Sequence, residues 1–487
     1  MIILKFFRYF SKFFSRLEYI FYIFKRIKEI GDKIHMFELI EKIGNALWSP
    51  VMLVVLMGSS VILSIKFKFF QVTQIKKIYK ETIGTLFQKK SKKDKNKITP
   101  FEAVSAALAG TMGVGNIAGV ATAITAGGPG AIFWMWISAF FCMIIKYIEV
   151  ILAQLYKQKK DGGFVGGPMY YISAGLKSRG LAVAFAFFCV ISSFGIGNMS
   201  QSNTISNAFE SAFHVPGIIT GIAVAVITAA IIIGGVKRIV SFTSKFIPLM
   251  SIIYMFAAII VIIFNANNLA ESFGTIFADA FAVKQAGAGI LGFLTSRALR
   301  FGMSRGIFSN EAGLGSAPIA HAVASPKSPV QQGMWGIFEV FFDTIVVCTM
   351  TALAILSSNA YKTAGLDGIN LTNEAFASVF GNVSGGFLAV SIVFFAIATL
   401  VTWSFYGECC IAYLFENARE KTISLCKNIY KFIFLALIIA GAVMKIEIVW
   451  SLSDIFNALM ALPNMAAVII LSPKALRETR EYLKPSV

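Results

Sequence analysis

The sequence predicts an all-α integral membrane protein of about eleven transmembrane helices. One N-terminal helix precedes a five-plus-five inverted-repeat core that contains two broken helices. Three observations predict it. Of the 487 residues 57% are hydrophobic and only 14% charged, whereas a soluble domain carries roughly 25% charged residues. The apolar residues gather in about eleven runs near the ~20 residues that a spanning helix needs, not in the short alternating strands of a membrane barrel. Two of those runs, at 110–116 and 309–316, are interrupted by glycine and polar residues.

Taken in order, residues 1–46 mix aromatic and basic residues, as in Lys5-Phe-Phe-Arg-Tyr-Phe-Ser-Lys-Phe-Phe14. That is the pattern of an amphipathic helix lying on a membrane surface. No small-residue cleavage site follows an apolar core, so a signal peptide does not fit. The alternative is that translation begins at Met36. The first span is 47–65, followed by a basic loop at 66–100 whose lysine-rich stretch Gln88–Thr99 reads as a flexible linker. The first repeat, 101–264, holds spans at 101–126, 130–156, 181–209, 217–235 and 246–264. A connection at 265–285 leads to the second repeat, 286–472. It opens with a short apolar helix at 286–299 and continues with spans at 304–324, 333–357, 385–412, 429–444 and 449–472, before a tail at 473–487.

Charge sets the orientation. With the 66–100 loop in the cytoplasm, the cytoplasmic loops and tail hold 28 Lys and Arg and the external connections three. The positive-inside rule then places the C-terminus in the cytoplasm of a cell (inner, plasma) membrane. The formal net charge of +19 is thereby explained without nucleic acid, for which no binding module is present. Six cysteines and three histidines lack metal spacing, and no nucleophile–base or nucleotide motif emerges, so the reading is not an enzyme.

The polar residues inside the spans are the candidates for function. Gly110, Gly113 and Gly115 with Asn116 break the first helix of the first repeat. Irregular backbone at membrane depth survives beside a cavity or within protein. Paired glycine-broken helices point to a secondary transporter, with freed N–H groups for an anion and freed carbonyls for a cation. Helix packing through Gly115-x-x-x-Gly119 is the competing reading. Asn198 and Gln201 share one helical face and either meet a cavity or bond between helices. Ser309-Asn-Glu-Ala-Gly-Leu-Gly-Ser-Ala-Pro318 carries Glu311, which serves a pathway or pairs with Arg305. Lys146 and Glu149, three apart, can neutralise each other as a structural or gating pair. Thr399, Thr402 and Ser404 offer hydroxyl oxygens suited to a hard cation, although Thr often bonds its own helix. Asp343 and Glu408 leave proton coupling open.

Gly127-Gly-Pro-Gly-Ala-Ile-Phe-Trp-Met-Trp136, following Gly115-Asn-Ile-Ala-Gly119, resembles the alanine or glycine:cation symporter family. Ser309–Pro318 and Phe341-Phe-Asp-Thr-Ile-Val-Val-Cys348 resemble it too, and the likeness covers roughly 36–475. The resemblance implies a leucine-transporter-type fold and sodium-driven uptake of small neutral amino acids, chiefly alanine and glycine. Proton coupling or an ion channel is the alternative. It also implies a substrate pocket at Gly113, Val114, Gly115, Gln201, Asn310 and Trp403. Na⁺ ligands are implied at Ala109 and Met112, through their carbonyls, and at Thr399, with Asn116 at a second cation position. Lys146, Glu149 and Glu311 stand as gating or coupling residues. Val114, Ala398 and Cys142 depart from the family pattern, which bears on affinity and substrate range.

Overall fold

A computed structural model of the chain describes residues 50–87, 97–160, 163–281, 297–444 and 446–484. The N-terminal extension 1–46, most of the lysine-rich linker and most of the short helix expected at 286–299 lie outside the described residues. Helix α1 is Pro50–Lys66. The basic loop after it is not irregular: short helical turns occupy Phe70–Thr73, Ile75–Glu81 and Ile83–Leu86. Buried Phe70 stacks on Tyr147 there, with ring centroids 4.6 Å apart.

The two repeats run through the same series of elements. The first has the broken pair α2 (Pro100–Thr111) and α3 (Ala118–Gly127), then long α4 (Ala131–Leu155) and short α5 (Pro168–Gly175). It ends with α6 (Arg179–Phe213), α7 (Gly217–Ile232) and α8 (Gly235–Phe264). After α9 (Leu269–Ala280), the second has the broken pair α10 (Arg297–Asn310) and α11 (Ala317–Ala322). There follow α12 (Pro329–Ser357), α13 (Gly368–Phe380), α14 (Val383–Leu414), α15 (Glu420–Val443) and α16 (Ile446–Leu483). Among the described residues seven helices are long and apolar enough to cross a membrane, and α1, α3 and α7 are shorter apolar helices. The protein is a multi-pass membrane protein. A two-stranded ribbon, Gln158–Lys160 with Gly163–Val165, follows α4.

Local chemistry sets several boundaries. Thr99 and Glu102 form a capping box at the start of α2: Thr99 Oγ1 accepts from the Glu102 N–H at 3.2 Å, and Glu102 Oε2 accepts from the Thr99 N–H at 2.9 Å. Pro100 at the first helical position has no N–H to leave unpaired. Ser328 caps α12 ahead of Pro329 in the same way, accepting from Gln331 N–H at 3.1 Å. Helix α16 runs eleven residues past the expected span end at 472.

The repeats are interleaved. Helix α4 of the first packs against α10 and α12 of the second, α6 against α14 and α16, and α7 against α15. Each repeat thus buries its polar faces against the other, and the two breaks meet in the middle.

Candidate functional site

The first break follows from its composition. α2 ends at Thr111 and α3 begins at Ala118, with a single tight turn at Val114–Asn116 between them. The Gly113 N–H, which would extend α2 onto the Ala109 carbonyl, instead donates to Asn116 Oδ1 at 3.0 Å. No side chain fits at 113. A Cβ there would stand 2.7 Å from Thr399 Oγ1 and 3.1 Å from Gln201 Oε1, so α14 and α6 close directly onto backbone. Gln201 Oε1 accepts from the Val114 N–H at 3.4 Å, and its amide nitrogen donates to the Ile196 carbonyl at 3.0 Å. That carbonyl lies in a π-helical turn, Gly195–Met199, a local widening that often marks function. Thr399 Oγ1 lies 3.5 Å from the Met112 carbonyl oxygen and 3.1 Å from that of Phe395.

The second break is Glu311–Ser316, between α10 and α11. Its backbone takes left-handed values at Glu311 (φ 53°), Gly313 (φ 87°) and Gly315 (φ 86°). Two glycines make that path accessible, since only glycine adopts it without a steric cost. Asn310 Oδ1 accepts from the Ala312 N–H at 3.1 Å, and its amide donates to Thr344 Oγ1 at 3.3 Å. Glu311 Oε1 accepts from Trp403 Nε1 at 3.1 Å and Oε2 accepts from Ser316 Oγ. The ion pair anticipated between Glu311 and Arg305 is replaced by these two neutral donors, because the left-handed turn at 311 directs the carboxylate back into the break.

Asp343 joins the two breaks. It lies in a second π-helical segment, Phe341–Cys348 of α12. Its Oδ1 accepts from Asn116 Nδ2 at 2.8 Å, and its Oδ2 accepts from Ser309 Oγ and Thr344 Oγ1, each at 2.8 Å. Asn116 Nδ2 also reaches Ser309 Oγ at 3.3 Å, and the Asn116 carbonyl accepts from Thr351 Oγ1 at 2.8 Å. The structure therefore brings Met112, Gly113, Val114, Gln201 and Thr399 to one wall, and Asn116, Ser309, Asn310 and Asp343 to the adjoining one. Ala109 sits fully buried one turn before the break, Gly115 faces the Ser309 Cα, and Trp403 lies one turn beyond Thr399 on α14. Ser309 and Thr344 were missed as partners. The Asp343-Thr344 pair interrupting the apolar Phe341–Cys348 run was the signal for Thr344, and the Ser before Asn310 for Ser309.

Lys146 and Glu149 stand apart from this wall, and their pairing differs from the expected one. Lys146 Nζ pairs with Glu339 Oε1 at 3.3 Å, both fully buried. Glu149 Oε1 accepts from Asn464 Nδ2 at 2.5 Å. Residues three apart on α4 diverge enough that each meets a different packed helix, α12 for Lys146 and α16 for Glu149. Glu339 Oε2 lies 2.8 Å from His321 Nε2, and His321 Nδ1 lies 2.8 Å from Gln332 Nε2. This inner network fills the space around α11. Its members Glu339, His321 and Asn464 were missed, although a carboxylate inside an apolar run, as at 339, is a costly residue with few structural uses.

On the α3 side a cavity of about 520 Å³ opens, lined by Ala118, Gly119, Thr122, Thr204, Glu210, Arg305 and Asp367 among others. Thr204 is three residues past Gln201 and Ala118 two past Asn116, so the cavity walls on α6 and α3 begin within one turn of the crossing of the two breaks. The crossing offers N–H and amide donors for a carboxylate, and carbonyl and hydroxyl oxygens for a hard cation. Among the described residues no group of three or more His, Cys, Asp and Glu could hold a transition metal.

Residues 33–486 match the sodium:alanine symporter family. The sodium/alanine symporter AgcS of Methanococcus maripaludis is 40% identical over 91% of this chain and 96% of its own. The probable sodium/glutamine symporter GlnT of Bacillus subtilis is 39% identical over 91% and 89%. Among solved structures, MhsT in complex with L-phenylalanine superposes with a TM-score of 0.56 at 14% identity, covering 80% of this chain and 93% of that one. The likeness to MhsT is one of fold, the leucine-transporter type.

Proposed function

The chain belongs to the sodium:alanine symporter family, and on that premise we propose that it carries alanine or glycine into the cell together with Na⁺. That it is an amino-acid symporter of the membrane, not an enzyme, follows from the family. The narrower reading is supported by one observation above the others. The Gly113–Asn116 backbone is held directly between Gln201 and Thr399, with no room for a side chain at 113, within one helical turn of the cavity walls on α3 and α6.

In this reading the amino-acid carboxylate takes the Val114 N–H in place of Gln201 Oε1, and meets the Gly115 N–H and the Gln201 amide nitrogen, which turns from the Ile196 carbonyl. Asn310 and Trp403 complete the pocket, and a short side chain suits so close a backbone. Na⁺ takes the carbonyls of Ala109 and Met112 and the hydroxyl of Thr399. Thr399 has one hydroxyl proton, and the shorter contact, 3.1 Å to the Phe395 carbonyl, claims it over the 3.5 Å contact to Met112. Two oxygens then face each other with no proton between them, an arrangement that a hard cation relieves. Na⁺ bound there ties the end of α2 to α14 and orders the Gly113–Asn116 turn. Cation and amino acid each raise the other's affinity, as linkage requires. Asn116 bears on a second cation position through Asp343. Lys146, Glu149 and Glu311 hold the inner side closed, with the C-terminus on the cytoplasmic face of the cell membrane.

Purified protein in liposomes, given labelled alanine and an inward Na⁺ gradient or an equal K⁺ gradient, tests the reading. Accumulation with Na⁺ alone is the expected result. Accumulation in both, driven by a pH gradient, would transfer the coupling role to a proton on Asp343, the buried carboxylate that bridges the breaks.

A further inference from the structure

Three layers follow one another along α6 and α14 away from the cavity. Thr204 lines the cavity. Next come Gln201 and Thr399, which close on Gly113. Beyond them Gly197 meets Trp403: a Cβ on Gly197 would stand 2.3 Å from both Cβ and Cγ of Trp403 and 2.7 Å from its Cδ2. The indole is fully buried and lies on the side of the pocket opposite the cavity. Bare backbone at 197 packs against the Cβ–Cγ end of the side chain, its N–H is taken by Glu311 Oε1 at 3.1 Å, and the Tyr406 ring meets it edge-on at 5.5 Å. Glu311 is itself fixed. It sits in the left-handed region at φ 53°, and its N–H reaches the Ile307 carbonyl at 2.9 Å. A non-glycine residue holds that conformation only at a cost, and such sites gather where a side chain must be aimed.

We infer that Gly197 and Glu311 set the size limit of the pocket by holding the Trp403 indole as its floor. This rests on the proposed pocket. Glu311 is a positioning residue: it acts through the indole and touches neither amino acid nor cation. Gly197 keeps α6 against α14, so that the ring has no second place to go. A floor clamped at its Cβ end and at its N–H cannot drop to admit a longer side chain, and the second break thereby governs which amino acids the first break receives.

The test compares alanine with 2-aminobutyrate, one methylene longer, as competitors of labelled alanine in Na⁺-loaded liposomes. One methylene in a rigid pocket is worth roughly 10–200-fold, and wild type is expected to discriminate at least about tenfold. Glu311→Ala frees the indole and should bring the two within about threefold. Glu311→Gln keeps an acceptor for the indole N–H and should restore discrimination. In parallel, 5-fluorotryptophan is incorporated at the six tryptophans and followed by ¹⁹F NMR, with Trp403→Phe identifying the relevant signal. That signal should shift and broaden in Glu311→Ala and return in Glu311→Gln. Gly197→Ala, acting where the ring joins its Cβ, should move the same signal and favour glycine over alanine.

Unchanged discrimination and an unmoved Trp403 signal in Glu311→Ala would overturn the inference. So would loss of Na⁺ dependence in Glu311→Gln, which would make Glu311 a coupling group. Should wild type take up neither amino acid, the functional reading fails, and the ¹⁹F signals still decide whether Glu311 holds the indole.

Discussion

Asn116 does the work of several residues. Its oxygen accepts from Gly113 and its nitrogen donates to Asp343 and Ser309, so the amide cannot be turned round without losing all three bonds. Asn116→Ala strands a backbone donor and a carboxylate, and should lower stability by about 2–3 kcal/mol, read as the fall in the thermal midpoint in detergent. Asn116→Asp keeps the acceptor for Gly113 but sets a second carboxylate beside Asp343. Two such groups hold one proton between them. Its midpoint should therefore lie further below wild type at pH 8 than at pH 5, and equal depression at both would show that the two groups do not touch. Thr399→Ala should raise the Na⁺ concentration for half-maximal alanine uptake about tenfold, roughly the 1.4 kcal/mol of one charge-assisted contact. The preference between alanine and glycine should not move. An unaltered Na⁺ response would displace the cation from Thr399.

Between elements, the buried pair Lys146–Glu339 joins α4 to α12, each group at zero exposure. Removing one partner of such a pair costs about 3–5 kcal/mol, whereas replacing both with apolar residues is often neutral. Lys146→Met should accordingly destabilise strongly, and Lys146→Met with Glu339→Leu should recover most of the loss in a double-mutant cycle. Additive losses would mean that the two groups act separately. This pair also marks where sequence reading stopped. The breaks at 110–116 and 309–316 were legible because glycine, amide and carboxylate interrupt apolar runs whose chemistry requires none of them. The partner of Lys146 was not. An i,i+3 neighbour can be counted along a helix, but the choice of Glu339 over Glu149 depends on which face of α4 meets α12 and which meets α16. Gln201 was legible as polar within an apolar helix. Its partner, the Val114 N–H, depended on a π-helical turn that no period in the sequence announces.

For the whole molecule, the order of elements is the same in the two repeats, and the odd number of crossings in each reverses the second relative to the first. The loop charge, 28 basic residues against three, supports the proposed sides. With the native cysteines replaced, a cysteine at Ser178, before α6, should react with an impermeant maleimide only from the cytoplasmic face. One at Asp367, at the mouth of the cavity, should react only from outside. Labelling of both from the same face would invert or break this arrangement. The fold class and the break positions were readable from hydropathy and glycine placement. The cavity was not, because its walls come from α3, α6, α10 and α13, which are far apart in the chain and meet only through packing.

The bond between Asn116 and Asp343 spans 227 residues. During synthesis the first repeat enters the bilayer long before Asp343 leaves the ribosome. Until then the opened turn at Gly113–Asn116 has neither Ser309 nor Asp343 to receive the Asn116 amide, and an exposed polar turn in hydrocarbon is costly. The open form of that turn is therefore favoured only once the second repeat supplies these partners. The Asn116–Asp343 bond thus ties the finished form of the first break to the arrival of the second repeat.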